Sequence, residues 1–416
     1  MTTLISFVGD TDPIRGFHDG GILHITRHKR PDKIVLLHSQ HSLSKHENIH
    51  LAINSISPDY QPEIMIDDEI IEDNRVFLFD EMFKHVSVVI DKYKNTDDHI
   101  LLNLTSGTPQ MIAGLFAYVQ IFGLNIDAYQ VLTPLRSSNE GLPHDTKESI
   151  DVLIELNEDN KIDSSNRLIE VNGQNIRQSL LQKSFRELID VYEFLGALNI
   201  LENESDIFSN QGKLIINLSK VANAIRFQNV LPDLQSKLGI NKEIQKYFSC
   251  FTILDIQAER ELVSEALVRG KNLAEAIAIK YIENQYPGLL KEDNKKYYLD
   301  TNHTKYIEIE GIYNKKRSGI AKLNPKTTIS SHLLLYILEV VDETGKFQMV
   351  FKQVLDKTRE RNTVAHSIDP IDPKNVDLQG LVDDCWQLLL FIDNRLRPYR
   401  NYKETLKQDI LNFAQQ

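Results

Sequence analysis

The N-terminal part of the chain alternates short apolar runs with longer stretches in which apolar residues recur at helical spacing. The longer stretches predict helices at residues 20–28, 75–93 and 111–122. The short runs predict strands at residues 4–8, 33–37, 63–66, 100–104 and 126–132. Strands separated by helix-length segments pair in parallel through right-handed crossovers. The pattern therefore predicts a doubly wound, Rossmann-like parallel sheet.

The chain becomes polar after the last of these strands. Residues 135–147 and 157–166 are rich in loop-forming residues, and residues 150–156 between them are expected to form an edge strand. The first domain is therefore expected to comprise residues 1–172.

Helical periodicity dominates the rest of the chain. The predicted helices are residues 176–199, 219–231, 244–250, 256–282, 330–343, 346–361 and 378–395. Tyrosines and isoleucines in residues 294–312 interrupt this pattern and suggest a short hairpin. The expected fold class is α/β plus all-α, with a helical connecting domain at residues 173–255 and a second helical domain at residues 256–416.

Composition and charge narrow the function. A chain of 416 residues with a net charge of -12 is a poor candidate for a protein that coats nucleic acid through a broad basic face. Neither Gly-x-Gly-x-x-Gly after the first strand nor a P-loop motif occurs, which disfavours dinucleotide dehydrogenases and P-loop enzymes. Without a basic leader or an apolar run of membrane-spanning length, we expect a cytoplasmic protein that makes no membrane contact.

Two polar loops follow predicted strands, at residues 9–13 and 105–110. Ligands of doubly wound sheets bind where loops leave the carboxyl ends of the strands. In the second loop Thr108 is placed as a helix N-cap and Pro109 as the first helical residue, so that the helix amides face the strand end. Gly107 allows close backbone approach, and helix N-termini receive phosphate well. A second interpretation gives Thr108 the role of a helix cap alone.

A further candidate site lies near the C-terminus, in residues 352–366. Arg361 and His366 fall where an amphipathic helix is expected to end, since Pro370 and Pro373 follow. Arginine offers a permanent forked charge to phosphate oxygens, and histidine transfers protons near neutral pH. On spacing alone, a solvated arginine and a histidine that interacts with the helix dipole remain an alternative.

Taken together, these features resemble the CRISPR-associated type III-A accessory ribonucleases, which are CARF–HEPN proteins activated by cyclic oligoadenylate. The resemblance covers essentially the whole chain. It rests on residues 12–15 with 19–27, on residues 103–108, and on Arg361-Asn362 to His366.

The resemblance implies an activity and its partners. The protein is expected to be a metal-independent endoribonuclease that cleaves single-stranded RNA in type III CRISPR antiviral defence and leaves 2',3'-cyclic phosphate ends. Its catalytic residues would be Arg361, Asn362 and His366, with no cofactor. The allosteric activator would be a cyclic oligoadenylate made by the type III CRISPR effector complex, with hexa-adenylate preferred to tetra-adenylate. The activator is expected to contact Gly9, Asp10, Thr11, Asp12, His24, Ser39, Thr105, Ser106, Gly107, Thr108 and Gln110. A ring-nuclease activity of the sensor domain is compatible with the resemblance.

Helix geometry favours a homodimer. Side chains five residues apart on an unbroken helix point about 140° apart, so one copy of Arg361 and His366 makes a poor site. Two copies facing across a two-fold axis would form a composite pocket, as the resemblance also implies. In RNA the 2'-hydroxyl attacks the adjacent phosphorus, so that the reaction needs no metal. Arg359 could share the phosphate role, but Arg361 is preferred because Asn362 follows it directly.

Two other functions stay open at this point. A ligand-responsive transcription regulator would join a similar sensor to a DNA-binding helix, although the C-terminal helices are long and mixed in charge. A toxin-like ribonuclease restrained by a protein antitoxin would share the nuclease motif but not the nucleotide ligand.

Overall fold

The computed structural model describes residues 1–93, 99–122, 126–134, 148–171, 173–316, 323–359 and 376–415. The chain forms two compact units, Met1–Leu180 and Leu181–Gln416. The first holds a mostly parallel sheet and the second is mostly helical, which confirms the expected fold class. The boundaries predicted at residues 172 and 255 stay predictions.

The first unit is built on a six-stranded sheet. In spatial order its strands are Glu63–Ile66, Lys33–Leu37, Thr2–Phe7, His99–Asn103, Asp127–Val131 and Leu168–Glu170. The first five are parallel, and the last pairs antiparallel with its neighbour. From Thr2–Phe7 the chain adds strands outward to one edge of the sheet. It then returns to pair His99–Asn103 with the other side of Thr2–Phe7. The strand order therefore reverses between these two strands, which is where such sheets bind ligands.

Helices cover both faces of the sheet, which explains why its strands read as nearly continuous apolar runs. On one face Ile5, Phe7 and Val35 share a buried core with the helices Phe79–Tyr93 and Pro109–Phe122. The other face packs against the remaining helices of the unit. These are Gly21–Lys29, His46–Asn54 and Ile150–Glu155.

The edge strand expected at residues 150–156 is wrong. This segment is the helix Ile150–Glu155, because Ile150, Leu153 and Ile154 share one helical face that packs into the core. The edge of the sheet is instead Leu168–Glu170, which pairs with Asp127–Val131. Three residues are too few to show the alternation that identifies a strand from sequence.

The second unit contains eleven α-helices in its described residues, counting the one that begins before its boundary. They are Gln174–Asp190, Phe194–Asn203, Gln211–Phe227, Leu234–Leu238, Lys242–Glu259, Val263–Gln285, Tyr306–Lys316, Ser331–Val341, Lys346–Lys357 and Leu378–Ile392, followed by the C-terminal helix Tyr402–Ala414. Val263–Gln285 lies at the centre and packs against Lys242–Glu259, Ser331–Val341, Lys346–Lys357 and Leu378–Ile392. No described helix is long and apolar enough to span a membrane.

Several of the regions predicted after residue 172 need correction. The helices predicted at residues 244–250 and 256–282 are instead Lys242–Glu259 and Val263–Gln285. The helix predicted at residues 176–199 breaks at Tyr192, whose φ of 59° is left-handed. The region 294–312 contains a hairpin of Leu290–Asp293 with Lys296–Leu299, but its C-terminal part is helical. The helix predicted at residues 346–361 ends at Lys357.

Candidate functional site

A cleft of about 640 Å³ opens at the carboxyl ends of the parallel strands in the first unit. It brings together loops from four separate places in the sequence, after the strands Thr2–Phe7, Lys33–Leu37, Glu63–Ile66 and His99–Asn103. Seven of the residues expected to contact the activator line it. They are Gly9, Asp10, Thr11, Ser39, Thr105, Gly107 and Thr108.

Glycines allow the first and last of these loops to touch. A Cβ added to Gly9 would lie 2.7 Å from the backbone nitrogen of Gly107, closer than real side chains approach. Gly107 itself has a φ of 109°, which favours glycine. The wall of the cleft at this point is therefore bare backbone.

Thr108 caps the helix Pro109–Phe122 as the sequence indicates. Its Oγ1 accepts a hydrogen bond from the Met111 amide at 3.3 Å and donates one to the Val76 carbonyl at 2.8 Å. The hydroxyl therefore joins the helix to the loop before Phe79–Tyr93 while lining the cleft.

Asp12 and Ser106 lie beneath the cleft and do not line it. The Asp12 carboxylate is buried and accepts hydrogen bonds from the amides of Gly9 at 2.9 Å and Ile22 at 3.1 Å. Burial raises the pKa of Asp12, against the lowering effect of these hydrogen bonds and of one with Ser106. Asn103 donates to the Ser6 and Ser106 hydroxyls at 2.8 and 2.9 Å. These contacts hold the two loops in place from below.

His24 and Gln110 are also absent from the cleft lining. His24 is fully buried, and its Nε2 accepts a hydrogen bond from the Arg167 amide at 3.0 Å. The side-chain oxygen of Gln110 is buried without a hydrogen-bond partner in the described structure. The expectation of a direct contact with the activator therefore needs correction for His24, because its ring faces the protein interior.

His24 belongs instead to a buried charge cluster that ties residues 157–168 to the rest of the first unit. Asp19 accepts hydrogen bonds from Arg27 at 2.7 Å and from Asn157 at 2.6 Å, and its Oδ2 lies 3.4 Å from His24 Nδ1. Arg167 donates to Asp159 at 2.6 Å. Burial acts to raise the pKa of Asp19, but the hydrogen bonds from His24 and Arg27 outweigh it and hold that pKa at about 2.

The spacing in this cluster resembles a metal site. One ligand atom from each of Asp19, His24 and Asp159 lies within 4.8 Å of the others. Two guanidinium groups already neutralise the two carboxylates, however. The arrangement therefore fits an ion-paired core better than a cation.

Several residues at the cleft are not among those expected to contact the activator. His41 and Asp73 line the cleft, and the His41 amide donates to the Asp73 carboxylate at 2.9 Å. Lys45 lies beside the cleft lining, where it donates to the Gly9 carbonyl at 3.0 Å and lies 3.6 Å from Asp10. The density of His, Ser and Lys just after the strand Lys33–Leu37 is the sequence signal that points to His41 and Lys45 beside the expected Ser39.

The predicted nuclease motif, Arg361, Asn362 and His366, lies outside the described residues. Its flanks are described: the helix Lys346–Lys357 precedes it, and the helix Leu378–Ile392 follows it. Arg359, the alternative arginine, has a side chain that is 79% exposed and pairs with Asp356 at 2.8 Å.

Comparison with known proteins matches both halves of the chain. Residues 62–168 match the family model of the Cas_Csm6 CARF domain, and residues 233–393 match that of the Cas_Csm6 HEPN domain. A Streptococcus thermophilus CRISPR system endoribonuclease, Csm6', is 38% identical over 384 residues, which cover 92% of this chain and 91% of that protein. A second one from that organism, Csm6, is 31% identical over 433 residues and covers 100% of both chains.

A solved structure is also similar. It is Enterococcus italicus Csm6 bound to cyclic hexa-2'-fluoro-hexa-dAMP, with a TM-score of 0.76 and 24% identity over 99% of each chain. At this identity the likeness shows the fold.

Proposed function

This chain belongs to the Csm6 family of CRISPR system endoribonucleases, and we propose that it cleaves single-stranded RNA without a metal when a cyclic oligoadenylate binds its first unit. The family relation favours this function over a DNA-binding regulator, since the similar proteins are endoribonucleases. It also favours a nucleotide-gated enzyme over a toxin restrained by a protein.

The observation that carries the proposal is the cleft at the point where the strand order reverses. Its lining offers backbone amides at a helix N-terminus, the hydroxyls of Thr11, Thr105 and Thr108, and the carboxylates of Asp10 and Asp73. Helix amides suit phosphate groups, and carboxylates accept hydrogen bonds from ribose hydroxyls or adenine amino groups. The mixture fits an oligonucleotide better than a simple anion.

For catalysis we assign roles to the three motif residues. His366 moves a proton between the attacking 2'-hydroxyl or the leaving 5'-oxygen and solvent. Arg361 stabilises the negative charge that develops on the phosphoryl oxygens, and Asn362 orients the reacting groups through its amide. Attack by the 2'-oxygen forms a 2',3'-cyclic phosphate as the 5'-oxygen leaves.

A homodimer completes the proposed site. In the first unit, four aromatic rings form a row across the helices Phe79–Tyr93 and Pro109–Phe122, with neighbouring centroids 4.6–6.2 Å apart. The ends of the row, Phe79 and Phe122, are 44% and 56% exposed. Tyr118, within the row, is buried. The exposed aromatic rings at its two ends are typical of a surface that another protein covers, which supports pairing of two copies.

The finer assignments complete the proposal. Residues 1–172 would be the sensor, residues 173–255 the connecting domain and residues 256–416 the nuclease. The activator would come from the type III CRISPR effector complex. Hexa-adenylate is preferred because a similar structure holds a cyclic nucleotide of six units. The sensor cleft would also be the site of any ring-nuclease activity.

RNA cleavage with and without cyclic hexa- and tetra-adenylate tests the proposal. Cleavage should require the activator, persist in EDTA, leave 2',3'-cyclic phosphate ends and disappear in His366→Ala. A substrate without 2'-hydroxyls should resist cleavage. Activator-independent cleavage, or cleavage of the deoxy substrate, would contradict it.

A further inference from the structure

Lys357 occupies a special place in the second unit, because it contacts the chain on both sides of the nuclease motif. It is the last residue of the helix Lys346–Lys357. Its Nζ lies 2.5 Å from the Asp384 carboxylate and 3.8 Å from that of Asp377. Both carboxylates follow the motif in sequence, so a single lysine joins the two described ends of the motif-bearing stretch.

The partner carboxylate is buried. Asp384 has a side chain that is 8% exposed, on the helix Leu378–Ile392. Among the described residues, Lys357 is the one cation within 4.0 Å of it. A buried carboxylate strongly prefers to keep its cation, because an unpaired charge in the interior is costly. The position of the Lys357 side chain is therefore strongly constrained.

The other end of the stretch packs against the same lysine. Asp377 caps the helix Leu378–Ile392 by accepting a hydrogen bond from the Gly380 amide at 2.8 Å. A Cβ added to Gly380 would lie 2.0 Å from the Asp377 carboxylate and 2.8 Å from Lys357 Cε. The Asp377 carboxylate and the aliphatic part of the Lys357 side chain therefore both pack against Gly380, where a larger residue would not fit.

The chain also leaves the first helix in a defined way. Thr358 is buried, and its hydroxyl donates to the Val354 carbonyl at 2.9 Å. Thr358 therefore closes the helix one residue after the lysine, three residues before Arg361.

We propose that Lys357, Asp384 and Asp377 form a positioning clamp that sets where the nuclease segment leaves one helix and joins the next. The inference rests on the proposed function, since it gives the segment between them the catalytic residues. Lys357 and Asp384 act through Arg361 and His366 and do not touch the RNA. A clamp of this kind matters for catalysis because small displacements of charge-stabilising groups cost rate steeply.

The test uses Lys357→Gln, Asp384→Asn and the double variant in the full-length protein. We expect kcat at saturating activator to fall roughly 100-fold in each, at temperatures where the variants remain folded. The activation midpoint should stay unchanged. The double variant should be no slower than the slower single variant, because both changes break one contact. Lys357→Arg, which keeps the charge, should recover a substantial part of the rate.

A matched control is available in the same unit. Asp255 is also buried, and it pairs with Arg400 at 3.0 Å and Lys403 at 3.1 Å, away from the motif segment in sequence. Asp255→Asn should lower the melting temperature as Asp384→Asn does but keep kcat. If Asp255→Asn loses kcat to the same extent, the effect is general destabilisation and the clamp is refuted.

Failure of the clamp and failure of the proposed function give different results. A folded Asp384→Asn protein with wild-type kcat would overturn the clamp while His366→Ala stays inactive. Full activity of His366→Ala would overturn the proposed function itself.

Discussion

At the scale of single residues, Thr108 shows how one hydroxyl can both cap a helix and line a cleft. It caps the helix Pro109–Phe122 and also bonds to Val76 on a neighbouring loop. A substitution is therefore expected to change stability, and activator binding as well if Thr108 contacts the activator as proposed. The two effects separate only when both are measured.

Thr108→Ala should weaken activation by cyclic hexa-adenylate. Loss of an N-cap costs about 1 kcal/mol of stability, which leaves the folded protein dominant. In addition, the activation midpoint should move to higher activator concentration, with cleavage recovered at saturation. Thr108→Ser, which keeps the hydroxyl, is the control. An unchanged midpoint in Thr108→Ala would leave the residue as a helix cap alone.

The choice between two neighbouring arginines is a second question at this scale. Arg361→Ala should lower kcat by roughly 100- to 1,000-fold, because charge on the phosphoryl oxygens loses its stabilising partner. Arg359→Ala should keep near wild-type cleavage, since its exposed side chain pairs with Asp356. Initial rates at saturating activator compare the two. Loss of activity in Arg359→Ala alone would reverse the assignment.

At the scale of elements, the buried cluster around Asp19 joins segments far apart in sequence. It links the helix Gly21–Lys29, through Arg27, to residues 157–168, through Asn157 and Arg167. Because those residues lead directly into the edge strand Leu168–Glu170, the cluster stabilises one border of the sheet that carries the cleft.

Asp19→Asn should destabilise the first unit in a pH-dependent way. The pKa of Asp19 is held at about 2, below its usual 3.8, so the ionised form stabilises the fold above pH 4. That contribution, about 2 kcal/mol, is lost as the pH falls toward 2. The difference in the free energy of unfolding between wild type and variant should have its full size at pH 7 and shrink below pH 4.

Hydrogen exchange of the strand Thr2–Phe7 at several pH values measures this difference. Asp68 provides the control, because its pKa is also lowered, by the ion pair with Lys92, but it is fully exposed. Asp68→Asn should leave exchange unchanged. Equal effects of the two substitutions would contradict a special role for the buried cluster.

At the scale of the whole molecule, activation requires that the activator bind one global arrangement better than another. A two-fold dimer supplies such an arrangement, because both the ring-shaped ligand and the paired nuclease motifs would lie on symmetric surfaces. The aromatic row of the first unit is the surface that this proposal assigns to pairing.

Phe122→Ser should weaken the dimer and, with it, activated cleavage. The side chain is 56% exposed, so the folded unit loses little when it is replaced. Sedimentation velocity should show a shift toward monomer, and specific activity should become dependent on protein concentration. Phe227→Ser provides the control for removing an exposed aromatic ring, because Phe227 is 61% exposed and lies in the second unit, away from the row. A stable, fully active Phe122→Ser dimer would exclude the row from the interface.

Local patterns in the sequence determined the elements of this protein and the class of its fold. Continuous apolar runs identified the parallel strands because both faces of the sheet are covered, and Thr108 with Pro109 located a helix start within one residue. The sequence of the helix Ile150–Glu155 does not distinguish it from a strand, because six residues of mixed polarity fit either period.

Only the tertiary structure decided which side chains share the cleft. Asp12 and Ser106 lie in the expected loops yet point beneath the cleft, while His41 and Asp73 enter from two further loops. His24 is turned inward by Asp19 and Arg167. The pairing of Lys357 with Asp384, 27 residues apart, likewise depends on how two helices pack. Spacing along the chain specifies helices and strands because their hydrogen bonds are local, whereas the contacts that build a site depend on long-range packing.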